Sequence, residues 1–304
     1  MKLLTFVADG RERIGAYHDG LVIDLYEAAA LGGMVPQETW RSLKALLAAE
    51  EEGLRWAGTA LRVAIEQDEV GRAGLAWPLA DVQLRPPIPD PSKILAIGLN
   101  YRDHCVEQNL PEPKVITLFA KFPSALCGAG APIVLPPREV CAQVDYEAEL
   151  AVVIGRGGSD IPEDEAYEHV AGYTCCNDVS GRDVQYGDGG RQWVHGKSFD
   201  TFCPLGPWLV TRDEVPDPHD LAISCTVSGE KRQSSHTGQL VFRIPYLISE
   251  LSKSLTLQPG DVLTTGTPGG VGVYSSPQRF LQAGDEVVVR IEGIGELRNP
   301  VVAG

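Results

Sequence analysis

The sequence predicts a β-rich α+β protein, and three observations carry that expectation. After Lys93, short apolar runs of strand length recur between Gly/Pro turns and do not alternate regularly with helices, which disfavours a doubly wound parallel sheet. Before that point, two hairpin signals are followed by one long helical pattern, which reads as a small α+β unit. Between the two lies "LRPPIPDPSK" (84–93), whose four prolines favour an extended joint. We place the boundary there, giving a small N-terminal domain, 1–88, and a larger β-rich domain, 89–304.

In the first unit, "KLLTFVAD" and "RIGAYHDGLVIDL" predict strands turned at Asp9-Gly10 and Asp19-Gly20, both strong hairpin dipeptides. "PQETWRSLKALLAAEEEGLRWAGTALRVAIEQ" then predicts helix, with Leu43, Leu46, Leu47, Leu54 and Ala57 on one face. In the second unit the predicted strands are "KILAIGL", "VITLFAKF", "PIVL", "EAELAVVIG", "DLAISCTVSGEKR", "DVLTTG" and "DEVVVRIEGIGEL". "DEAYEHVAGY" and "IPYLISELSKSL" predict helices; the first has Pro162 ahead of it and an acidic first turn.

The chain has 304 residues, 43 % of them hydrophobic, which is ample for a substantial core. Its formal charge of −15 argues against nucleic acid or an anionic membrane as partner, because both demand basic patches. An anionic small substrate stays open, since a metal ion or local Arg and Lys can reverse the sign in a pocket. The apolar runs are too short to span a bilayer. The N-terminus turns polar by Asp9, without the apolar core of a signal peptide, so a cytoplasmic location is expected. Seven cysteines, with no Cys-x-x-Cys, read as reduced, mostly buried thiols.

Chemistry concentrates in five segments. In "VDYEAELAVVIG" (144–155), Asp145, Glu147 and Glu149 alternate with apolar residues, so one continuous strand would present all three on one face. Like charges so placed repel, and a hard divalent cation such as Mg²⁺ removes that cost. Two carboxylates at i and i+2 would point side by side at one ion. "CCNDVSGRDVQYG" (175–187) offers a third in Asp178, within a polar cluster that includes Arg182, Asp183 and Gln185. In "GLNYRDHCVEQN" (98–109), His104 and Glu107 share one face of a helical turn, a pairing able to take a proton from water. "HGKSFDTFCPLGP" sets Lys197 in apolar surroundings, a candidate for oxyanion stabilisation or substrate-carboxylate binding. Its "GKS" is not a phosphate loop, because the required earlier Gly is out of register. "PGDVLTTGTPGGVG" (259–272) is a Gly-rich loop, with Thr265 and Thr267, whose backbone could approach a ligand closely.

Taken together and in this order, the five segments resemble the fumarylacetoacetate hydrolase superfamily over about Lys93 to Val302. The resemblance implies a mixed β-roll and a homodimer. It implies that Glu147, Glu149 and Asp178 hold Mg²⁺ or Mn²⁺, while Asp145 is not a ligand. It implies a catalytic dyad of His104 and Glu107, carried on a lid. Lys197, expected to be catalytic, and Arg182, Gln185 and Thr267 match positions that contact substrate or support the metal site. The expected substrate is a small anionic 2-oxo acid. A metal-stabilised enolate serves carbon–carbon hydrolysis, decarboxylation and proton transfer alike. The activity expected first is hydrolysis of acylpyruvate-like 1,3-diketo acids. An isomerase, a decarboxylase or an oxaloacetate keto–enol tautomerase is the alternative. Specificity is expected in the segment after His104 and in loops such as "PQRFLQ" (277–282).

Overall fold

The computed structural model describes residues 1–34, 40–67, 74–187 and 192–304. Strands β1 (Lys2–Ala8), β2 (Arg11–His18) and β3 (Leu21–Asp24) form a meander. Both Asp-Gly turns have positive φ at both residues: 49° and 71° at Asp9-Gly10, 45° and 85° at Asp19-Gly20. That is the turn whose twist matches a hairpin. Helix α1 (Leu25–Leu31) starts at Asp24, whose carboxylate accepts the Tyr26 and Glu27 N–H groups. The long helical pattern resolves into α2 (Leu43–Ala48) and α3 (Glu50–Ile65), while residues 36–39 of the predicted helix lie outside the described residues. These helices bury Leu43, Leu46, Leu47, Trp56 and Ala57 against Leu3, Ile14 and Ile23 of the sheet. Two short strands, β4 (Ala76–Pro78) and β5 (Gln83–Leu84), pair with β3 and β1.

The second unit supplies β6 (Ile94–Gly98), α4 (Arg102–Glu107), β7 (Thr117–Lys121), β8 (Leu126–Cys127) and β9 (Ile133–Leu135). Next come β10 (Val144–Asp145), β11 (Ala148–Ile154), β12 (Val170–Asn177) and β13 (Ser180–Gly181). Helices α5 (Arg182–Tyr186) and α6 (Trp193–Gly196) lead to β14 (Cys203–Thr211) and the hairpin of β15 (Ala222–Val227) and β16 (Glu230–His236). Helix α7 (Ile244–Ser252), β17 (Val262–Thr264), β18 (Glu286–Ile291) and β19 (Gly295–Ala303) complete the chain.

One sheet runs β4-β3-β2-β1-β14-β12-β11-β17-β6-β7, with β5 beside β1 and β8 beside β14. It is mixed: β17 pairs β6 in parallel and β14 pairs β8 in parallel, while β11 and β12 are antiparallel. A second sheet runs β16-β15-β18-β19-β9, and β10 and β13 form a separate two-stranded ladder. The architecture is therefore α+β with mixed sheets, as the sequence predicts. The boundary at residue 88 separates two groups of elements but not two sheets, because β1 pairs β14 antiparallel.

Every residue of β11 and β12 is buried, which explains their near-continuous apolar runs. Val153 packs toward the N-terminal helices, while Leu150, Val152 and Ile154 pack toward the second sheet and α7. Cys175 and Cys176 enter different core clusters, as strand alternation requires.

Two expectations are corrected. The segment "DEAYEHVAGY" is not an α-helix: Glu163–His169 is 3₁₀, and Val170 already belongs to β12. Pairing of Val170 with Ile154 claims the chain for the sheet and overrides its local helical signals. Nor is 144–154 one strand. β10 stops at Asp145 and β11 starts at Ala148, so the three acidic residues do not share one face of a continuous ladder.

The buried His219 joins the 3₁₀ segment Glu163–His169 to the start of α7. Its Nε2 accepts the Ile244 N–H at the start of α7, at 3.1 Å, and its Nδ1 lies 3.3 Å from the Tyr167 hydroxyl. Burial, then the nearby Arg243, lowers its pKa below the usual 6.5, against an opposing pull from Asp217. Protons therefore bind the unfolded chain more readily. This contribution is full above about pH 6.5 and falls as pH drops toward the lower folded value, by up to about 1.4 kcal/mol per pH unit. His219→Gln keeps an acceptor for Ile244 but cannot titrate. Thermal melts should show the wild type losing more stability than His219→Gln between pH 7.5 and 5.5; parallel losses would exclude this role.

Candidate active site

The site forms where β11 begins. Ala148 pairs with Asn177 and Glu149 with Cys176, so the register brings Asp178 beside Glu147. The Asp178 N–H donates to the Glu147 carbonyl at 2.9 Å. One oxygen from each of Glu147, Glu149 and Asp178 lies within 4.8 Å of the others, and all three side chains are buried. Two buried carboxamides serve the peptide N–H groups where the strand is interrupted. Asn177 Oδ1 accepts from Glu147 at 3.0 Å, and Gln233 Oε1 accepts from Ala148 at 2.9 Å.

Three buried cations surround this acid cluster. Lys197 Nζ donates to Glu147 Oε2 at 2.8 Å, Asp178 Oδ2 at 2.7 Å and Ser180 Oγ at 2.8 Å. An ammonium has three protons, so in this arrangement none is left for a substrate oxygen. Lys197 lines the cavity and holds two of its carboxylates together. Lys121 Nζ donates to Asp178 Oδ1 at 2.5 Å and to the carbonyl of Lys197. Arg182 reaches Asp145 through Nε at 2.9 Å, Glu147 through Nη2 at 2.7 Å and Gln185 Oε1 through Nη1 at 3.0 Å. Its Nε and Nη1 are thus committed to protein groups, while Nη2 makes ion-pair contacts with Asp145 and Glu147 without a hydrogen bond, and Gln185 is turned with its amide oxygen toward Arg182.

Electrostatics separates the two glutamates. Burial opposes the charge of Glu147, but Lys197 and Arg182 outweigh burial and pull its pKa down to about 2. Glu149 has no such cation contact: burial, then Asp178 and Glu147, push it well above the usual carboxylate range, against weaker pulls from Lys197 and the Gly266 N–H. Burial likewise opposes the charge of Lys197, yet Asp178 and Glu147 keep it protonated. Three hard oxygen donors with a charge deficit at Glu149 suit a divalent cation, which would remove both penalties on that carboxyl.

Asp145 faces neither the acid cluster nor solvent. It accepts from Arg182, from the Gly272 N–H at 2.7 Å and from the Val273 N–H at 3.0 Å. The Gly-rich loop repeats this role along its length. Gly266 N–H meets Glu149 at 2.8 Å, Gly269 N–H meets Asp103 at 3.3 Å and Gly270 N–H meets Glu107 at 2.9 Å. The loop's backbone therefore approaches protein carboxylates, where the sequence suggests an approach to a ligand. A Cβ at Gly272 would lie 1.9 Å from the Arg279 carbonyl and 2.6 Å from Asp145 Oδ1, so only glycine fits.

On α4, His104 Nδ1 lies 3.0 Å from Glu107 Oε2, so the dyad forms as the spacing predicts. A cavity of about 280 Å³ joins this dyad to the acid cluster. His104, Glu147, Glu149, Arg182, Gln185, Lys197 and Thr267 line it; Glu107 and Asp178 stand one contact behind.

A sequence model described as fumarylacetoacetate (FAA) hydrolase C-terminal matches residues 93–302. The chain belongs to the fumarylacetoacetate hydrolase family. Among relatives, it is 52 % identical over 223 residues to a mitochondrial oxaloacetate tautomerase of Xenopus laevis, covering 73 % of this chain and 69 % of that one. It is 44 % identical over 239 residues to the oxaloacetate tautomerase YisK of Bacillus subtilis, covering 77 % of each. A maleylpyruvate hydrolase of Sphingobium, solved in complex with manganese(II) and pyruvate, superimposes with a TM-score of 0.77 at 33 % identity over the whole of both chains. Within this family of enzymes, members similar to this chain thus include both tautomerases and hydrolases.

Several site residues escape sequence reasoning. Lys121 interrupts the apolar "LFAKF" at an inward position, which was the available signal. Gln233 and Asn177 carry no local signal. The far wall of the cavity is aromatic: Trp193 packs on Gly98, where a Cβ would lie 2.5 Å from the ring, and meets Phe119 edge-on at 5.3 Å. Gln108 and Leu110 line the cavity, in keeping with a role for the segment after His104. Residues 277–282 do not line it; Arg279 pairs with Asp285 at 2.9 Å, and Tyr274 occupies the rim instead.

Replacing Glu149 by Gln preserves shape and removes a poorly compensated buried carboxyl. Calorimetric titration of Glu149→Gln should show Mn²⁺ affinity lowered by about tenfold or more, with a melting temperature no lower than wild type. Unchanged affinity would remove Glu149 from the ligand set.

Proposed function

We propose that this chain is a divalent-metal-dependent oxaloacetate tautomerase, moving a proton between C3 and the C2 oxygen of a small 2-oxo dicarboxylate. The observation that carries this is one cavity shared by the His104–Glu107 dyad and the Glu147, Glu149 and Asp178 carboxylates. The tautomerases among the relatives, at 44 % and 52 % identity, support it over hydrolysis.

Glu147, Glu149 and Asp178 would hold the ion, Mg²⁺ or Mn²⁺. When bound, it supplies the positive charge that stabilises an enolate at the 2-oxo acid. Glu107 fixes the His104 ring through Nδ1, so Nε2 is the nitrogen that exchanges a proton with substrate. In the keto-to-enol direction, Nε2 takes a C3 proton and returns one to the C2 oxygen, and the reverse path restores the ketone. No water is consumed. Trp193 and Phe119 limit solvent at the far wall.

Charge supports an anionic substrate. The carboxyls of Asp145, Glu147, Glu149 and Asp178 outnumber the cations Lys121, Lys197 and Arg182 by one, all of them buried. A divalent ion reverses the sign of that buried cluster, with the partly buried Glu107 of the dyad standing outside the count. The second reading, cleavage of an acylpyruvate-like acid, uses the same dyad to activate water; the maleylpyruvate hydrolase at 33 % identity favours keeping it.

Mixing enol-rich oxaloacetate with enzyme and Mg²⁺ should accelerate loss of the enol absorbance above the buffer rate without releasing CO₂ or a shorter acid. Enol decay at the buffer rate, alongside rapid cleavage of acetylpyruvate, would favour hydrolysis. His104→Ala should slow the accelerated reaction by about 10²-fold or more while Mn²⁺ affinity stays near wild type. A matching loss of ion binding would make His104 a ligand or a structural residue.

A further inference from the structure

Gln233 sits on β16, in the second sheet, and is that strand's single buried position. Its carboxamide closes a ring of hydrogen bonds. Oε1 accepts the Ala148 N–H at 2.9 Å, and Nε2 donates to Thr267 Oγ1 and to the Pro268 carbonyl, each at 2.8 Å. Thr267 Oγ1 in turn donates to the Ala148 carbonyl at 3.0 Å. Both peptide groups of Ala148 are thereby held from one side chain, directly through its N–H and through Thr267 at its carbonyl. Ala148 is the residue between Glu147 and Glu149.

The ring can form in one sense only. Pro268 offers a carbonyl, so Nε2 must face it, and Oε1 then meets the Ala148 N–H. Thr267 receives a proton from Nε2, so its own proton goes to the Ala148 carbonyl. We propose that Gln233 is a positioning residue: its ring holds Glu147 and Glu149 at the spacing a divalent cation needs, and turns the Thr267 hydroxyl so that it meets a ligand only as an acceptor. This rests on the metal-site reading above. It also gives Thr267 a preference for a substrate group that donates, such as an enol hydroxyl, over a second carboxylate oxygen.

The test uses the full-length protein, with Mn²⁺ as probe and oxaloacetate as substrate, below the melting temperature of each variant. Gln233→Met keeps length but strands the Ala148 N–H, the Pro268 carbonyl and Thr267. It should lower Mn²⁺ affinity and kcat/KM by about 10–100-fold, the usual cost of losing a group that orients metal ligands. Adding Thr267→Val to Gln233→Met should cost much less than Thr267→Val alone, because the two residues act as one unit. Full Mn²⁺ affinity and turnover in a Gln233→Met protein that only melts earlier would overturn the proposal. Should that variant not fold, Gln233→Glu still accepts from Ala148 but has at most one proton to give, which the Pro268 carbonyl claims, so none reaches Thr267. It should bind Mn²⁺ yet lose about tenfold or more in kcat, and unchanged kcat would overturn the proposal equally. A wild type that binds Mn²⁺ but ignores oxaloacetate sinks the tautomerase reading and leaves the Mn²⁺ arm decisive for Gln233; no Mn²⁺ binding at all sinks both.

Discussion

The peptide N–H groups of residues 266–273 are the constraint on which the site depends. Five of them hold four carboxylates: Glu149 of the acid cluster, Glu107 of the dyad, Asp103 beside it and Asp145 behind Arg182. These acids come from two separate stretches of chain, and one loop gives them a common frame. Backbone donors suit the task because they compensate buried carboxylates without bringing in further formal charge. Gln233 anchors the same loop from the second sheet through Thr267 and Pro268. Shifting the loop would therefore displace the dyad and the metal-ligand candidates together.

Around that frame the buried charges are interdependent. Glu147 is shared by Lys197 and Arg182, and Asp178 by Lys197 and Lys121. Breaking one member of a buried ion pair costs about 3–5 kcal/mol, because the other is left uncompensated. Among the described residues Glu149 is the exception, held by a backbone N–H with no cation in contact. It is the place where an added positive charge gains most, which fits a chain whose excess of acid lies inside the cavity as well as over its surface.

Much of this was legible in the sequence. The i, i+2 glutamates, Asp178 behind an apolar strand and the i, i+3 His104–Glu107 pair are local patterns, and the fold brings them to one cavity. The Asp-Gly hairpins and the β-rich second unit were equally readable. The failures share one cause, which is partners distant along the chain. Alternation placed Asp145 with the glutamates, but pairing of β10 with β13 interrupts the strand and sends Asp145 to Arg182 and the loop at 272–273. Lys197 could be recognised as buried, yet its commitment to Glu147 and Asp178 needed the tertiary contacts. Gln233 meets Ala148 across 85 residues, and nothing in its own neighbourhood announces that. The 3₁₀ segment at Glu163–His169 yielded to strand pairing that the helical signals could not foresee.

The junction of β1 with β14 bears on how this enzyme can be divided. The family match begins at residue 93, yet the sheet does not begin there. All nine residues of β14 are buried, and its edge at Leu209 and Val210 is covered by Leu3 and Lys2. A chain trimmed to its matching segment would carry a bare, apolar strand edge, the kind that recruits other chains into aggregates. The leading residues thus act as a seam allowance for the matching segment, and a minimal version of it has to keep them or cap that edge by other means.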